Sequence, residues 1–274
     1  MVTMTAISTH PDAGRIPYVT SDEAYQLMKV ELDRFIDLVE TLQAEEWEKP
    51  TACSEWDVRD ILAHQAGGYA SGTSYGEMIR QVRQRPQPGQ LMEDAINAFQ
   101  LRERAEMSPA ELIMELRKTG PVAAHKWAYQ FKPVKWIKIP HRDIGTLSLR
   151  HLMLVIHSRD TWMHRLDICR ATGRQFEQTA DHDGRIVELV MRDVAGTLER
   201  KYHGPAHEFE LTGIAGGRWQ IGRGAPASMI KMDVLEFNNF ASGRYSYQKA
   251  RPMISISGDI SSAEKALQQI LVLY

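Results

Sequence analysis

The chain has 274 residues, 43% of them hydrophobic and 25% charged, so it can bury a large core in one big or two medium domains. Its formal net charge of -2 gives no basic field for a nucleic-acid backbone, and no lysine and arginine cluster flanks an apolar face. No run approaches the roughly 18 apolar residues of a membrane span, and the N-terminus lacks a signal-peptide core, so we expect a soluble, globular, cytoplasmic protein that binds neither nucleic acid nor membrane.

The first predicted helix has the clearest amphipathic pattern in the chain. Thr20 and Glu23 form a capping-box signature, in which the two side chains cap each other's backbone N–H groups. Apolar residues then follow at helical spacing, namely Ala24, Leu27, Met28, Leu32, Phe35, Ile36, Val39 and Leu42. The pattern predicts a helix that begins after Thr20 and buries one face.

A second helix is predicted after a turn at residues 49–54, with Ser54 or Glu55 as its opening residue. Its apolar stripe consists of Val58, Ile61, Leu62, Ala66 and Tyr69. His64 lies off this stripe, on a face with small side chains that includes Gly67. Spacing alone favours a surface histidine, although the neighbouring glycines would let a ligand or another helix approach closely.

Two further helices are predicted before a connecting segment. The breaker run at residues 85–89 precedes a helical stretch with Leu91, Met92, Ala95, Ile96 and Phe99. Ser108, Pro109 and Glu111 combine an N-cap, a proline at the first helical position and an acid at the third, so a fourth helix begins there. We expect Gly120 and Pro121 to kink or divide it, and residues 132–146 to form a loop. Several long helices with short links indicate a bundle.

The next helix, which Gly173 is expected to end, places ionisable groups on its apolar face. At about 100° per residue, Asp160, His164 and Asp167 share a face with Leu149, Leu152, Met153, Ile156 and Met163. A buried carboxylate without a partner is costly, so something positive must lie opposite Asp160. Asp160 and His164 could both reach one metal ion, but Asp160 could instead hydrogen-bond His164 or pair with an arginine of another helix.

The pattern changes after Asp181. A helix over residues 184–202 precedes two alternating runs at 208–213 and 218–222, which predict a hairpin. A strand at 228–232, a helix at 234–241, a strand at 253–257 and a helix at 261–273 complete the chain. We therefore expect an α+β fold, with a helical bundle over residues 1–178 and a smaller α/β domain over residues 179–274.

Two motifs together carry a family resemblance. One is Cys53-Ser-Glu-Trp-Asp-Val-Arg-Asp-Ile-Leu-Ala-His64, and the other runs from Asp160 through His164 and Asp167 to Gly173. They resemble the mycothiol-dependent maleylpyruvate isomerase family of the DinB-like superfamily, and the resemblance spans most of the chain. It implies an N-terminal DinB-like metal-binding bundle followed by a smaller α/β domain.

The resemblance also implies site residues. The family's metal ligands fall on His64, Asp160 and His164, although the isomerase resembled has glutamate where this chain has the shorter Asp160. The loss of one methylene shifts the carboxylate by roughly 1.5 Å. Arg244 falls at the family's substrate-binding arginine and would meet an anionic substrate; the alternative is a surface arginine at a helix end. Asp167 is expected to orient His164 or to hold a neighbouring arginine, and not to bind the metal, because a ligating imidazole usually needs a hydrogen-bond partner for its other nitrogen.

Two histidines and one carboxylate would leave a coordination position open on a divalent metal ion, most simply zinc. A thiol that enters this position becomes a metal-bound thiolate, and the resemblance implies that mycothiol supplies it. Cys53 and Cys169 form no CxxC pair and are expected to be ordinary thiols. The expected function is S-transfer to, or isomerisation of, a small electrophile that can carry a carboxylate. A non-catalytic metal-binding or regulatory module and a metal-dependent hydrolase remain alternatives, and the chain could be a monomer or a homodimer.

Overall fold

The computed structural model describes residues 11–130, 133, 136–142 and 144–274. The chain divides into two compact units. The helical unit comprises Val19–Lys138 and Ser148–Phe176, and the mixed unit comprises the described part of Met1–Tyr18 together with Ile139–Leu147 and Glu177–Tyr274. The predicted α+β class is confirmed by helices together with small sheets. The predicted domain assignment, 1–178 and 179–274, stays a prediction.

The helical unit begins with five α-helices: α1 (Ser21–Glu40), α2 (Val58–Ser71), α3 (Tyr75–Val82), α4 (Met92–Glu103) and α5 (Pro109–Ala128). The N-terminal caps predicted at Thr20 and Ser108 are present. The Thr20 hydroxyl accepts from the Glu23 backbone N–H at 3.1 Å, and the Glu23 carboxylate accepts from the Thr20 N–H at 3.3 Å. Ser108 caps α5 in the same way, with Pro109 as its first residue.

Three sequence expectations for these helices are wrong. Helix α2 begins at Val58 and not at Ser54 or Glu55, because the Asp57 carboxylate accepts from the Asp60 N–H at 2.8 Å and caps the helix there. Helix α3 was not predicted; Ser74 caps it ahead of the 85–89 breaker run. Helix α5 is not divided at Pro121, because residues buried on both sides of the proline hold the helix against its neighbours, and the alternative expectation of a kink stays a prediction.

The helix that carries Asp160 has three consecutive parts: α6 (Leu149–His151), a π-helical turn (Leu152–Ile156) and α7 (His157–Thr172). Gly173, with φ of 75° in the left-handed region, ends α7 and donates its N–H to the Cys169 carbonyl, which confirms the predicted terminus. A π-helical turn adds one residue to the hydrogen-bonded ring, and such turns are frequent at functional sites.

The predicted loop at 132–146 is wrong where its residues form strands. Strands β1 (Lys138–His141) and β2 (Gly145–Ser148) form a two-stranded sheet. Pro140 is compatible with a strand here because a two-stranded sheet consists of edges, where a missing N–H is tolerated. Residues 132, 134, 135 and 143 of that prediction lie outside the described residues.

The helical unit packs its amphipathic faces together. Helix α5 lies against both α1 and α2, α7 lies against both as well, and α4 lies against α2. Phe35 of α1, Ile61 and Leu62 of α2, and Leu112 and Leu116 of α5 have no exposed surface. Burying each such side chain contributes about 1.5–3 kcal/mol, so this shared core holds α2 and α7 in fixed positions.

The mixed unit contains α8 (His182–Lys201), β3 (His207–Thr212), β4 (Gly217–Ile221), β5 (Ser228–Asp233), α9 (Val234–Ala241), α10 (Tyr247–Ala250), β6 (Ser255–Gly258) and α11 (Ile260–Leu267). The sheet order is β4-β3-β5-β6. Strands β3 and β4 form the predicted antiparallel hairpin, β3 and β5 are parallel, and β5 and β6 are antiparallel. Helix α11 is shorter than predicted. No described helix in either unit is long and apolar enough to cross a bilayer.

Candidate metal centre

Two helices of the helical unit bring the three predicted ligands together. His64 lies on α2, and Asp160 and His164 lie one turn apart on α7. Their potential ligand atoms all lie within 4.8 Å of one another. Residues almost a hundred positions apart in the sequence therefore meet in one buried cluster, as the resemblance implies.

His64 is only 9% exposed, so the surface position favoured by spacing alone is wrong. The cause is that α2 is buried on more than its apolar stripe: its Gly67 face packs against α4. Gln100 of α4 places its Oε1 2.9 Å from His64 Nδ1. The other ring nitrogen, Nε2, lies 3.4 Å from Asp160 Oδ2.

Among the described residues, the partners of Asp160 are an amide and two imidazoles and not an arginine. Gln65 Nε2 donates to Asp160 Oδ2 at 2.6 Å, and His164 Nε2 lies 3.3 Å from Oδ1. Burial alone would raise the pKa of this carboxyl, but the neighbouring imidazoles of His164 and His64 outweigh it and hold the pKa well below its usual range. Asp160 is therefore an anion, and its side chain keeps 24% of its surface exposed.

His164 is held from its other side by a second carboxylate. Its Nδ1 lies 3.1 Å from Oδ2 of Asp167, which is completely buried. Burial lowers the pKa of His164, but the charge and hydrogen bonds of Asp160, followed by the hydrogen bond of Asp167, raise it well above its usual value. A proton therefore occupies this ring at neutral pH in the metal-free site, and it supplies the positive charge that Asp160 needs.

Cys53 lies closer to this cluster than the sequence interpretation allowed. Its thiol donates to Asp167 Oδ2 at 3.6 Å, and Cys53, His164 and Asp167 form a second group whose potential ligand atoms lie within 4.8 Å of one another. The signal that could have indicated this was its place at the head of the motif that ends at His64. Cys169, in contrast, is buried and donates to the Gln175 carbonyl at 3.7 Å.

Trp56 forms an aromatic wall beside both histidines. Its ring centroid lies 4.8 Å from that of His64 and 5.8 Å from that of His164, and the two imidazole centroids are 5.1 Å apart. Trp56 is half-buried, so part of the indole remains accessible. Trp162, in contrast, packs in the core, edge-on to Phe176.

Arg244 lies in the mixed unit, between α9 and α10, directly after Gly243. Gly243 has φ of 81°, which ends α9 with a left-handed residue. The Arg244 side chain is half-buried. Its predicted contact with an anionic substrate stays a prediction.

The donor set of the cluster suits a divalent metal ion. Imidazole nitrogen and carboxylate oxygen are ordinary ligands for zinc and iron, and three protein ligands leave a position for water or substrate. Each imidazole contacts an acceptor through Nδ1, which leaves Nε2 directed at Asp160. Histidine ligands normally donate their second N–H in this way.

The fold and the cluster define a DinB-like helical bundle with a candidate metal centre, joined to a small α+β unit. The family model of the mycothiol maleylpyruvate isomerase N-terminal domain matches residues 29–169, and the chain belongs to this family. The matched range contains His64, Asp160 and His164. The resemblance seen in the sequence is confirmed, and with it the expected isomerase-like class of enzyme.

Two solved structures are similar over nearly their whole length. A crystal structure of the mycothiol-dependent maleylpyruvate isomerase has 14% sequence identity and a TM-score of 0.54, covering 91% of this chain and 97% of that chain. A crystal structure of a histidine-to-alanine mutant of that isomerase has the same identity and coverage and a TM-score of 0.55. At this identity the likeness shows the fold. The search of curated proteins finds no match.

Proposed function

We propose that this protein is a metal-dependent enzyme that uses mycothiol to isomerise, or to transfer sulfur to, a small electrophilic substrate. His64, Asp160 and His164 would hold a divalent ion, most simply zinc. The observation that carries the proposal is the convergence of two imidazole Nε2 atoms on one carboxylate within a buried cluster. Family membership supports thiol-dependent isomerisation as the reaction class.

A bound metal would supply one thing to this chemistry, a lower pKa for a thiol that enters the open position. The residues supply the setting. Asp160 contributes one negative charge and the two histidines contribute none when neutral, so a divalent ion would retain a net positive charge that favours a thiolate. Gln65 donates to the Asp160 carboxylate, and the Trp56 ring lies beside both imidazoles.

Asp160 is compatible with this role in spite of its shorter side chain. The carboxylate already reaches both Nε2 atoms, at 3.4 Å and 3.3 Å, so one ion could contact all three groups after small side-chain movements. We propose that Arg244 binds a carboxylate of the substrate, because a guanidinium can pair with a carboxylate through two hydrogen bonds. A cytoplasmic location, as expected from the sequence, also stays a prediction.

The test is metal analysis of purified protein loaded with zinc, for the parent and for His64→Ala and His164→Ala. The matched control is His203→Ala, which removes an exposed histidine of the mixed unit. We expect one zinc per chain in the parent and the control and a loss of zinc in both site variants. Equal zinc content in all four proteins would contradict the proposal. The cobalt-loaded parent should also change its absorption spectrum on addition of mycothiol and should convert maleylpyruvate.

A further inference from the structure

We propose that Gln100, held in turn by Gln81, is a positioning residue that fixes the tautomer of His64. The two amides would keep the proton of the neutral ring on Nδ1 and leave the Nε2 lone pair directed at Asp160. The consequence for metal affinity rests on the proposed function, whereas the tautomer itself does not.

The polarity of the hydrogen-bond chain follows from its far end. The Gly67 carbonyl on α2 can only accept, so the group of Gln81 that lies 2.9 Å from it must be the NH₂ donor. Oε1 of Gln81 then accepts from Nε2 of Gln100 at 2.7 Å.

This contact leaves Oε1 of Gln100 directed at His64 Nδ1 at 2.9 Å. Because a carbonyl oxygen can only accept, Nδ1 must carry the proton. The Gly67 carbonyl therefore determines the tautomer of His64 through the two glutamines, without contacting the imidazole ring.

Burial makes this polarity hard to reverse. Gln81 is 1% exposed and Gln100 is 3% exposed, so water is not available to replace a broken hydrogen bond. If Gln100 turned its amide over, its NH₂ would face Nδ1 and its oxygen would face the Gln81 oxygen. Two buried acceptors in contact are unfavourable, which holds the chain in one direction.

The opposite tautomer would compete directly with a metal ion. With the proton on Nε2, His64 would donate to Asp160 Oδ2, which lies 3.4 Å away. The proton would then occupy the position on Nε2 at which the ion must bind, and the hydrogen bond would engage the carboxylate oxygen that the ion also needs. The two glutamines act against this state and keep Nε2 of His64 available to the ion, whereas the proton on His164 must still be displaced.

The contact between Gln100 and His64 also depends on Gly67, because its lack of a side chain lets α4 come close to α2. A Cβ added at Gly67 would lie 2.6 Å from Gln100 Cβ and 2.7 Å from its Cγ. Neither atom is the end of a flexible chain, so Gln100 would have to move. A Cβ added at the neighbouring Gly68 would meet no atom within 4 Å, so this adjacent glycine is a matched control.

The experiment is nitrogen NMR of the histidine rings in metal-free protein, at a pH where the His64 ring is neutral. The parent should show the proton of His64 on Nδ1. Gln100→Met, which keeps the shape of the side chain and removes its polarity, should move the proton to Nε2. Gln81→Met should give a mixture, because Gln100 remains but can turn over.

Zinc affinity gives the second readout. Loss of a partner that orients a ligand typically weakens metal binding about 10- to 100-fold, and we expect this for Gln100→Met and for Gly67→Ala. Gly68→Ala and Asn97→Leu, which removes a half-buried amide of α4 outside the chain of glutamines, should bind zinc like the parent.

The outcomes separate this proposal from the proposed function. A parent protein with the His64 proton on Nε2, or a Gln100→Met variant with unchanged tautomer and zinc affinity, would overturn the role of Gln100. If the parent showed the Nδ1 proton and Gln100→Met lost it, but neither bound zinc, the tautomer control would stand and the metal-dependent function would fall.

Discussion

Replacing Asp160 with asparagine tests the part of the site in which this chain departs from the family resemblance. Asparagine keeps the size of the side chain, and its oxygen can still accept from Gln65, so folding should survive. The substitution removes the negative charge that lies 3.3 Å and 3.4 Å from the two imidazole Nε2 atoms. It therefore removes the anionic ligand and leaves the two histidines in place.

The size of the effect follows from the number of ligands. A structural zinc site with four ligands gains about 10–16 kcal/mol on binding, or roughly 2.5–4 kcal/mol for each ligand. Because about 1.4 kcal/mol corresponds to a factor of ten, Asp160→Asn should weaken zinc binding roughly 60- to 700-fold. Two charges 3.3 Å apart at an effective dielectric constant near 20 interact by about 5 kcal/mol at most, so the charge lost is large enough for this change.

The assay is competition for zinc between the protein and a chromophoric chelator, for the parent and Asp160→Asn. The matched control is Asp22→Asn, which removes a carboxylate that accepts from the Tyr129 hydroxyl at 2.7 Å, away from the cluster. The reasoning would be refuted if Asp160→Asn bound zinc within threefold of the parent, because the carboxylate would then not be a ligand.

Further predictions concern the protonation of His164 and His157, the Cys53 thiol and the packing of α5 at Gly120. Zinc affinity should rise with pH until the raised pKa of His164 is passed, because the ion must displace the proton of the His164 ring. Isothermal titration calorimetry at a series of pH values would measure this, and an affinity that does not change with pH would contradict it. Burial against Trp127 lowers the pKa of His157 to about 4, whereas the same group in the unfolded chain has a pKa near 6.5, so the unfolded chain gains its proton first as the pH falls. His157→Phe should therefore raise the free energy of unfolding at pH 5 by about 2 kcal/mol relative to its effect at pH 8. Equal effects of the substitution in urea titrations at both pH values would contradict this. Cys53→Ser keeps a donor for Asp167 and should bind zinc within tenfold of the parent, whereas loss of zinc would place the ion in the Cys53 group. Gly120→Ala should destabilise the protein despite the better helix propensity of alanine, because the new Cβ would lie 2.5 Å from Leu32 Cδ2; a higher melting temperature would show that Leu32 moves aside.

Local signals in the sequence predicted much of the fold. The caps at Thr20 and Ser108, the left-handed end at Gly173 and the hairpin of β3 and β4 depend on residues close together in the chain, and the structure confirms them. The start of α2 was missed because two acidic residues, Asp57 and Asp60, form a capping box that resembles a polar turn. Helix α5 passes Pro121 because its packing against α1 and α2 outweighs the cost of one lost hydrogen bond.

The candidate site shows where the sequence stops being sufficient. Periodicity placed Asp160 and His164 on one face of a helix, since the spacing of four residues is a local property. Periodicity could not predict that His64 is buried, because the burial comes from α4 packing on the Gly67 face of α2. Gln100 and Gln81 were missed for the same reason: a glutamine becomes a partner of the site only when distant helices meet.

Anomalous diffraction from crystals of the zinc-loaded protein, recorded on both sides of the zinc absorption edge, tests the metal centre most directly. We expect one zinc peak per chain, about 2.0–2.2 Å from Nε2 of His64, Nε2 of His164 and a carboxylate oxygen of Asp160. A zinc peak bound by Cys53 and Asp167 in place of these atoms, or fully loaded crystals with no peak between α2 and α7, would contradict it.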